Sequence, residues 1–256
     1  MTIFELKENK INLDGIDLYY KIAGEGKPIL ILHGWGAGSS SWMRTIEELA
    51  SNGFKVIVPD LPGFGRTQPP SEVWGVSEYA KFIDKFIKKI QIDNFSVMGH
   101  SFGGGIITKL ENNFNKIIFC DAAIIRKERF SLRQKFSKLI SIVGKKIVSK
   151  NFFAYKFFEK ITYFISGTYD YYNANPIMKD IFKKVISEDL SLTLNGINKP
   201  CLIIWGDNDQ VTPVEDAHFI NNKVINSKLR LINKCGHNPH RTNNEELNSI
   251  IIEFLK

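Results

Sequence analysis

Short apolar runs ending at Gly, Asp or Pro alternate along the chain with longer amphipathic stretches, the order expected of βα units around a mostly parallel sheet. Pro28 to Leu32, Phe54 to Val58, Phe95 to Met98, Lys116 to Cys120, Cys201 to Trp205 and Leu229 to Ile232 are apolar enough to be strands buried on both faces. Ahead of them, Ile11 to Leu13 and Ile16 to Ile22 flank Asp14-Gly15, a pair that tolerates positive φ at both positions and closes two-residue hairpins. The sheet is therefore expected to open with antiparallel strands, and the runs predict eight strands in all.

Between the strands, Val76 to Ile90 carries Tyr79, Phe82, Ile83, Phe86 and Ile90 at spacings of three and four, one apolar face of a crossover helix. Residues 123–195 hold no comparable strand run but many helix-period positions, among them Phe130, Phe136, Leu139, Ile140, Val143 and Ile147. The expected architecture is α/β: an eight-stranded, mostly parallel sheet flanked by helices, built from residues 1–122 and 196–256. A helical cap, residues 123–195, is inserted after strand six. There are no internal repeats and no Gly/Ser/Pro-rich linker, so the cap is expected to pack on the core.

Charge changes this picture in one place. The net charge of +7 is concentrated in residues 123–195, which hold 14 Lys and Arg against 6 Asp and Glu, leaving 20 against 21 elsewhere. Such a basic segment is either an ordinary solvated face or a surface for an acidic partner, an acyl carrier protein or an anionic membrane. No nucleic-acid partner is expected. No segment approaches the roughly 18 uninterrupted apolar residues of a membrane span. The start, Met1 to Glu8, mixes acids and bases where a secretory signal has a basic then apolar stretch. Cys120, Cys201 and Cys235 form no C-x-x-C pair and are expected to be free thiols in a reducing compartment. A cytoplasmic protein is the expectation.

The candidate chemistry begins at Gly99-His100-Ser101-Phe102-Gly103, a G-x-S-x-G pattern that follows one strand run and precedes an apolar stretch, Ile106 to Leu110, read as helical. A serine on a tight strand-to-helix bend needs small residues two places before and after it. The bend also leaves the first amides of the helix free to hold a developing oxyanion, which points to the N–H of Phe102. The second donor is expected from the loop after the third strand, His33-Gly34-Trp35-Gly36, at the N–H of Trp35, with the indole lining an acyl pocket.

A serine hydroxyl needs a base, and His237, just past the last strand run, lies at the sheet end where sites collect. His33 and His100 are expected to serve local structure, and His218 and His240 fall in polar contexts. A carboxylate must orient the imidazole. Asp209 and Asp207 both follow the seventh strand, with Asp209 favoured because it lies deeper in the loop and Asp207 read as a turn residue. Asp121, at the end of the preceding strand, remains a fallback.

From about Ile11 to the C-terminus, these motifs resemble the α/β-hydrolase superfamily. His33 to Gly36, Pro59-Asp60-Leu61-Pro62-Gly63-Phe64-Gly65, Gly99 to Gly104, Trp205 to Pro213 and Gly236-His237 occur in the order that superfamily uses. The resemblance implies the triad Ser101, Asp209 and His237, oxyanion donors on Trp35 and Phe102, and a cap after strand six. A serine at the bend, not an aspartate, argues against the haloalkane dehalogenase and epoxide hydrolase branches. One departure is Asn238-Pro239-His240-Arg241-Thr242, where relatives often carry apolar residues and then a glutamate.

The activity this implies is hydrolysis of a carboxylic ester through an acyl-enzyme, with no cofactor or metal. The aromatic-rich cap, including Phe152, Tyr155, Tyr163 and Tyr172, suggests a small-molecule ester with an apolar or aromatic acyl group. The alternatives are carbon–carbon bond hydrolysis or acyl transfer with the same triad, or a noncatalytic ligand-binding protein on this fold.

Overall fold

The computed structural model describes residues 5–111, 114–126 and 175–256. Eight strands form one sheet: β1 (Leu6–Leu13), β2 (Ile16–Ala23), β3 (Lys27–Leu32), β4 (Phe54–Pro59), β5 (Ser96–His100), β6 (Ile117–Cys120), β7 (Cys201–Gly206) and β8 (Ser227–Ile232). Their spatial order is β1-β2-β4-β3-β5-β6-β7-β8. β1 and β2 pair antiparallel, as do β2 and β4, and every later pair is parallel. Asp14 and Gly15 both have positive φ, and Leu13 pairs with Ile16 across them, so the hairpin turn is the two-residue kind its sequence calls for.

Among the described residues the α-helices are α1 (Met43–Ser51), α2 (Val76–Lys89), α3 (Phe102–Ile107), α4 (Pro176–Ser187), α5 (Val214–Lys223), α6 (Pro239–Thr242) and α7 (Asn244–Leu255). Alternating strand residues face opposite sides of the sheet. Leu30, Leu32, Ile57, Val97, Phe119, Ile203 and Trp205 join the core beneath α2, α3, α4 and α5. Ile29, Ile31, Val56, Val58, Met98, Ile118 and Ile204 pack on the other face with Ile46, Leu49, Leu247 and Ile251 of α1 and α7. Burial on both faces is why these strands read as unbroken apolar runs.

Three differences from the expected elements have physical causes. β1 begins at Leu6, five residues before the apolar signal, and β8 begins at Ser227. Both are edge strands with exposed positions, where backbone pairing holds the strand without an apolar pattern. α3 starts at Phe102 and not at Ile106. Its glycines, poor helix formers, allow close approach to β3 and to Ala122. The cap expected over 123–195 falls mostly outside the described residues, including Phe130 to Ile147 and the aromatic run Phe152 to Tyr172. Of that stretch, Ala123 to Ile125 are buried in the core, and α4 packs Met178, Ile181 and Val185 into it.

No helix among the described residues is long and apolar enough to cross a membrane.

The sheet reverses its winding at β3, which has β4 on one side and β5 on the other. In open α/β sheets ligands bind at the C-terminal strand ends beside such a reversal. The loop after β3 and the bend after β5 both open there.

Candidate active site

Ser101 occupies the bend between β5 and α3 with φ 49° and ψ −115°. This is a left-handed conformation rare for a side chain without local compensation. The bend is held by its own backbone: Ser101 N–H donates to Cys120 O at 3.1 Å, while the Ser101 carbonyl accepts from Gly104 and Ala123 at 3.0 and 2.9 Å. Gly99 and Gly103 permit it, since a Cβ on Gly99 would lie 2.6 Å from Gly104 N. Ser101 keeps 9% of its surface accessible.

Its Oγ lies 2.9 Å from His237 Nε2, and His237 Nδ1 lies 2.7 Å from Asp209 Oδ2. An ionised carboxylate only accepts, so Nδ1 carries the proton and Nε2 is left to accept from the serine. Asp209 is 5% exposed and richly supplied with donors. Its Oδ1 accepts from the amides of Val211 at 2.7 Å and Thr212 at 3.1 Å, and its Oδ2 also accepts from the Thr212 hydroxyl at 2.7 Å. Burial works to raise this carboxyl, but the bonds from His237, Thr212 and Val211 outweigh it and hold Asp209 below the ordinary carboxylate value.

The three sequence-favoured residues therefore meet. Asp207 instead accepts from Cys235 N at 3.2 Å, tying the loops after β7 and β8 together as a turn residue would. Asp121 does not orient the imidazole. It lies behind Asp209, fully buried, with Oδ1 accepting from Gly206 N at 2.9 Å. Burial first, then the charge of Asp209, pushes its carboxyl up to about 8 despite the Gly206 amide.

Trp35 follows β3 directly. Gly34 abuts the bend so closely that a Cβ there would lie 3.1 Å from Ser101 Cβ and 2.7 Å from His100 Nδ1. The Trp35 ring, half-buried, meets Phe102 at 5.6 Å, Phe64 at 4.8 Å and Phe182 of α4 at 5.0 Å between centroids. Phe102 is the first residue of α3, a position whose amide has no acceptor within the helix.

The other histidines are structural. Leu61 N–H donates to His33 Nε2 at 2.9 Å and His33 Nδ1 donates to Gly34 O at 2.8 Å, clamping the β3 loop to the Pro59–Gly65 segment. In that segment Asp60 accepts from Ser39 N at 2.6 Å and Arg66 N at 3.0 Å. His100 Nε2 donates to the His237 carbonyl at 2.7 Å, a tether of the base to the nucleophile strand. His218 is exposed. His240 departs from its expected polar context: it is buried and stacks on Trp42 at 4.4 Å. Burial drives His100 well below the ordinary histidine value and His240 down to about 3.

Sequence reasoning missed two supporting residues, Thr212 and the His100 tether. The Asp-x-x-Thr spacing was a signal for the first, because Asp side chains commonly accept from amides two and three places on. The tether spans 137 positions and had no local signal.

Among the described residues, Asp121, Asp209 and His237 bring three possible metal-ligand atoms within 4.8 Å of one another. His237 Nδ1 and Asp209 Oδ2, at 2.7 Å, are closer than the roughly 3.3 Å between neighbouring ligands of a tetrahedral ion. A hydrogen bond accounts for the cluster.

Comparison with known proteins agrees with this fold. A family model described as the alpha/beta hydrolase fold matches residues 27–118. A 2-hydroxy-6-oxononadienedioate/2-hydroxy-6-oxononatrienedioate hydrolase of Pseudomonas putida is 24% identical, covering 94% of this chain and 92% of its own. The bromoperoxidase structure from Bacillus anthracis superposes with TM-score 0.76 at 24% identity, covering 98% of this chain and 99% of that one. An esterase from Exiguobacterium antarcticum does so with TM-score 0.75 at 23%, covering 94% and 96%. Strand order, matched segment and superposition show the α/β-hydrolase fold, and the chain is similar over most of its length to proteins of that superfamily.

Proposed function

We propose that the protein is a serine hydrolase that cleaves a carboxylic ester through an acyl-enzyme. One observation carries the reading: an unbroken hydrogen-bond chain runs from Ser101 through His237 to Asp209, with the serine in a left-handed bend at the sheet's reversal point. His237 Nε2 takes the Ser101 proton as Oγ attacks the carbonyl, and Asp209 stabilises the imidazolium that forms. The amides of Trp35 and Phe102 hold the oxyanion, each worth about 10² to 10³ in rate. His237 then passes the proton to the leaving alcohol. Water, deprotonated by the same nitrogen, releases the acid.

The rings of Trp35, Phe64, Phe102 and Phe182 lie beside the bend and support an apolar or aromatic acyl group. The basic segment 123–195 supports docking of an acidic carrier or an anionic membrane surface, which rising salt would weaken. A cytoplasmic setting fits three free cysteines.

A second reading, carbon–carbon bond hydrolysis, is favoured by the Pseudomonas relative named as a hydrolase of 2-hydroxy-6-oxononadienedioate and 2-hydroxy-6-oxononatrienedioate. A panel of esters and vinylogous diketones assayed on wild type and Ser101→Ala, with mass identification of the acylated residue, separates the two. Failure of a fluorophosphonate to label Ser101 would remove both.

A further inference from the structure

We infer that Asp121 is a positioning residue: it keeps a proton at neutral pH and donates it in a hydrogen bond to Asp209, fixing the carboxylate that orients His237. The inference rests on the proposed Ser101, His237 and Asp209 relay and adds a fourth member behind it.

The backbone of Asp121 is locked before its side chain is considered. It ends β6 in the left-handed region, φ 46°, a conformation that aspartate tolerates better than most residues. Its N–H donates to Ile204 O at 3.0 Å, and its carbonyl lies 3.1 Å from Thr212 Oγ1, whose proton goes to Asp209 Oδ2 at 2.7 Å. With Oδ1 on the Gly206 amide, Oδ2 accepts from the Cys120 thiol at 3.4 Å, and a carboxylate oxygen of Asp121 lies within 4.8 Å of one of Asp209. Among the described residues, the titratable groups that act on it are Cys120 of β6, Asp209 and His237 in the loops after β7 and β8, and Cys235. None of these is a lysine or arginine.

Two adjoining carboxylates in such surroundings do not both ionise, and the better-solvated one holds the charge. Asp209 accepts two amides, a hydroxyl and an imidazole N–H. Asp121 has one amide and a weak thiol donor. The proton therefore resides on Asp121, in keeping with the upward shift that burial and Asp209 impose on it. A protonated acid in this position offers Asp209 one more donor and closes the network. An ionised Asp121 would instead repel Asp209 and loosen its hold on His237.

The test compares Asp121→Asn, which keeps an acceptor for Gly206 and a donor for Asp209, with Asp121→Ala, which keeps neither. Rates of Ser101 labelling by a fluorophosphonate are measured from pH 6 to 10. Wild type should lose rate as pH rises through about 8. The asparagine variant should stay within about tenfold of wild type at pH 7 and lose that alkaline decline, while alanine falls about 10- to 100-fold. Equal losses in both variants with an unchanged profile overturn the inference. Carboxyl-carbon NMR of aspartate-labelled protein reads the proton directly and needs no activity. One aspartate carboxyl protonated at pH 7 and missing in Asp121→Asn is expected, and its absence from wild type overturns the inference. If wild-type Ser101 fails to label, the hydrolase reading falls, and the NMR titration alone decides whether Asp121 holds its proton.

Discussion

Replacing Gly103 by alanine perturbs the contact on which the whole site stands. The added methyl would lie 2.6 Å from the carbonyl carbon of Leu32, closer still to its oxygen, and 2.9 Å from His33 O. All are main-chain atoms at the end of a central strand, so no rotamer change relieves them. Restoring a carbon contact of roughly 3.5 Å moves α3 away from β3 by about 1 Å. Overpacking of this kind typically costs about 1 to 3 kcal/mol, and the upper end applies where the neighbours are backbone. The same shift carries Phe102 and the adjoining Ser101 away from His237, now at 2.9 Å. A misplacement near 1 Å costs about 10² in rate, or about 2.7 kcal/mol of barrier. Urea unfolding and the rate of fluorophosphonate labelling read the two effects separately. Gly196→Ala is the control, because nothing lies within 4 Å of its added methyl. It should be neutral or stabilising by up to about 1 kcal/mol. A Gly103→Ala protein that labels within twofold of wild type and unfolds within about 0.5 kcal/mol of it would refute the close-approach argument.

Two further outcomes follow from the same geometry. In Asp209→Asn, Oδ1 remains on the Val211 and Thr212 amides, so the new NH₂ faces His237 Nδ1 and forces the proton onto Nε2, which then cannot accept from Ser101. Turnover should fall by about 10⁴ with little change in fold, read by steady-state kinetics and circular dichroism. Acid should also destabilise the protein. His33, His100 and His240 are buried with depressed pKa values, so below the unfolded value of 6.5 the unfolded chain binds protons that the native chain does not. Each removes about 1.4 kcal/mol per pH unit, while Asp121, protonated in the fold up to about 8, offsets one of them. The net loss is up to about 3 kcal/mol per unit below pH 6.5. Urea midpoints that stay flat between pH 7 and 5 would contradict this.

The sequence by itself determined the class of fold and marked the candidate reacting groups. Strands buried on both faces must be apolar throughout, so β3 to β7 were readable within one or two residues. A serine bend needs flanking glycines, so Ser101 was marked by its neighbours. Edge strands β1 and β8 were under-read because half their residues face water and their pairing is made by the main chain.

What tertiary structure decided was every relation between distant segments. Local pattern favoured Asp209 over Asp207 and Asp121, but which of them meets His237 depends on where three loops end in space. Only the packed fold puts Asp209 at 2.7 Å, sends Asp207 to Cys235 and buries Asp121 behind the pair. Protonation states and tethers likewise arise from burial and from contacts more than a hundred positions apart, quantities that no local run of residues contains.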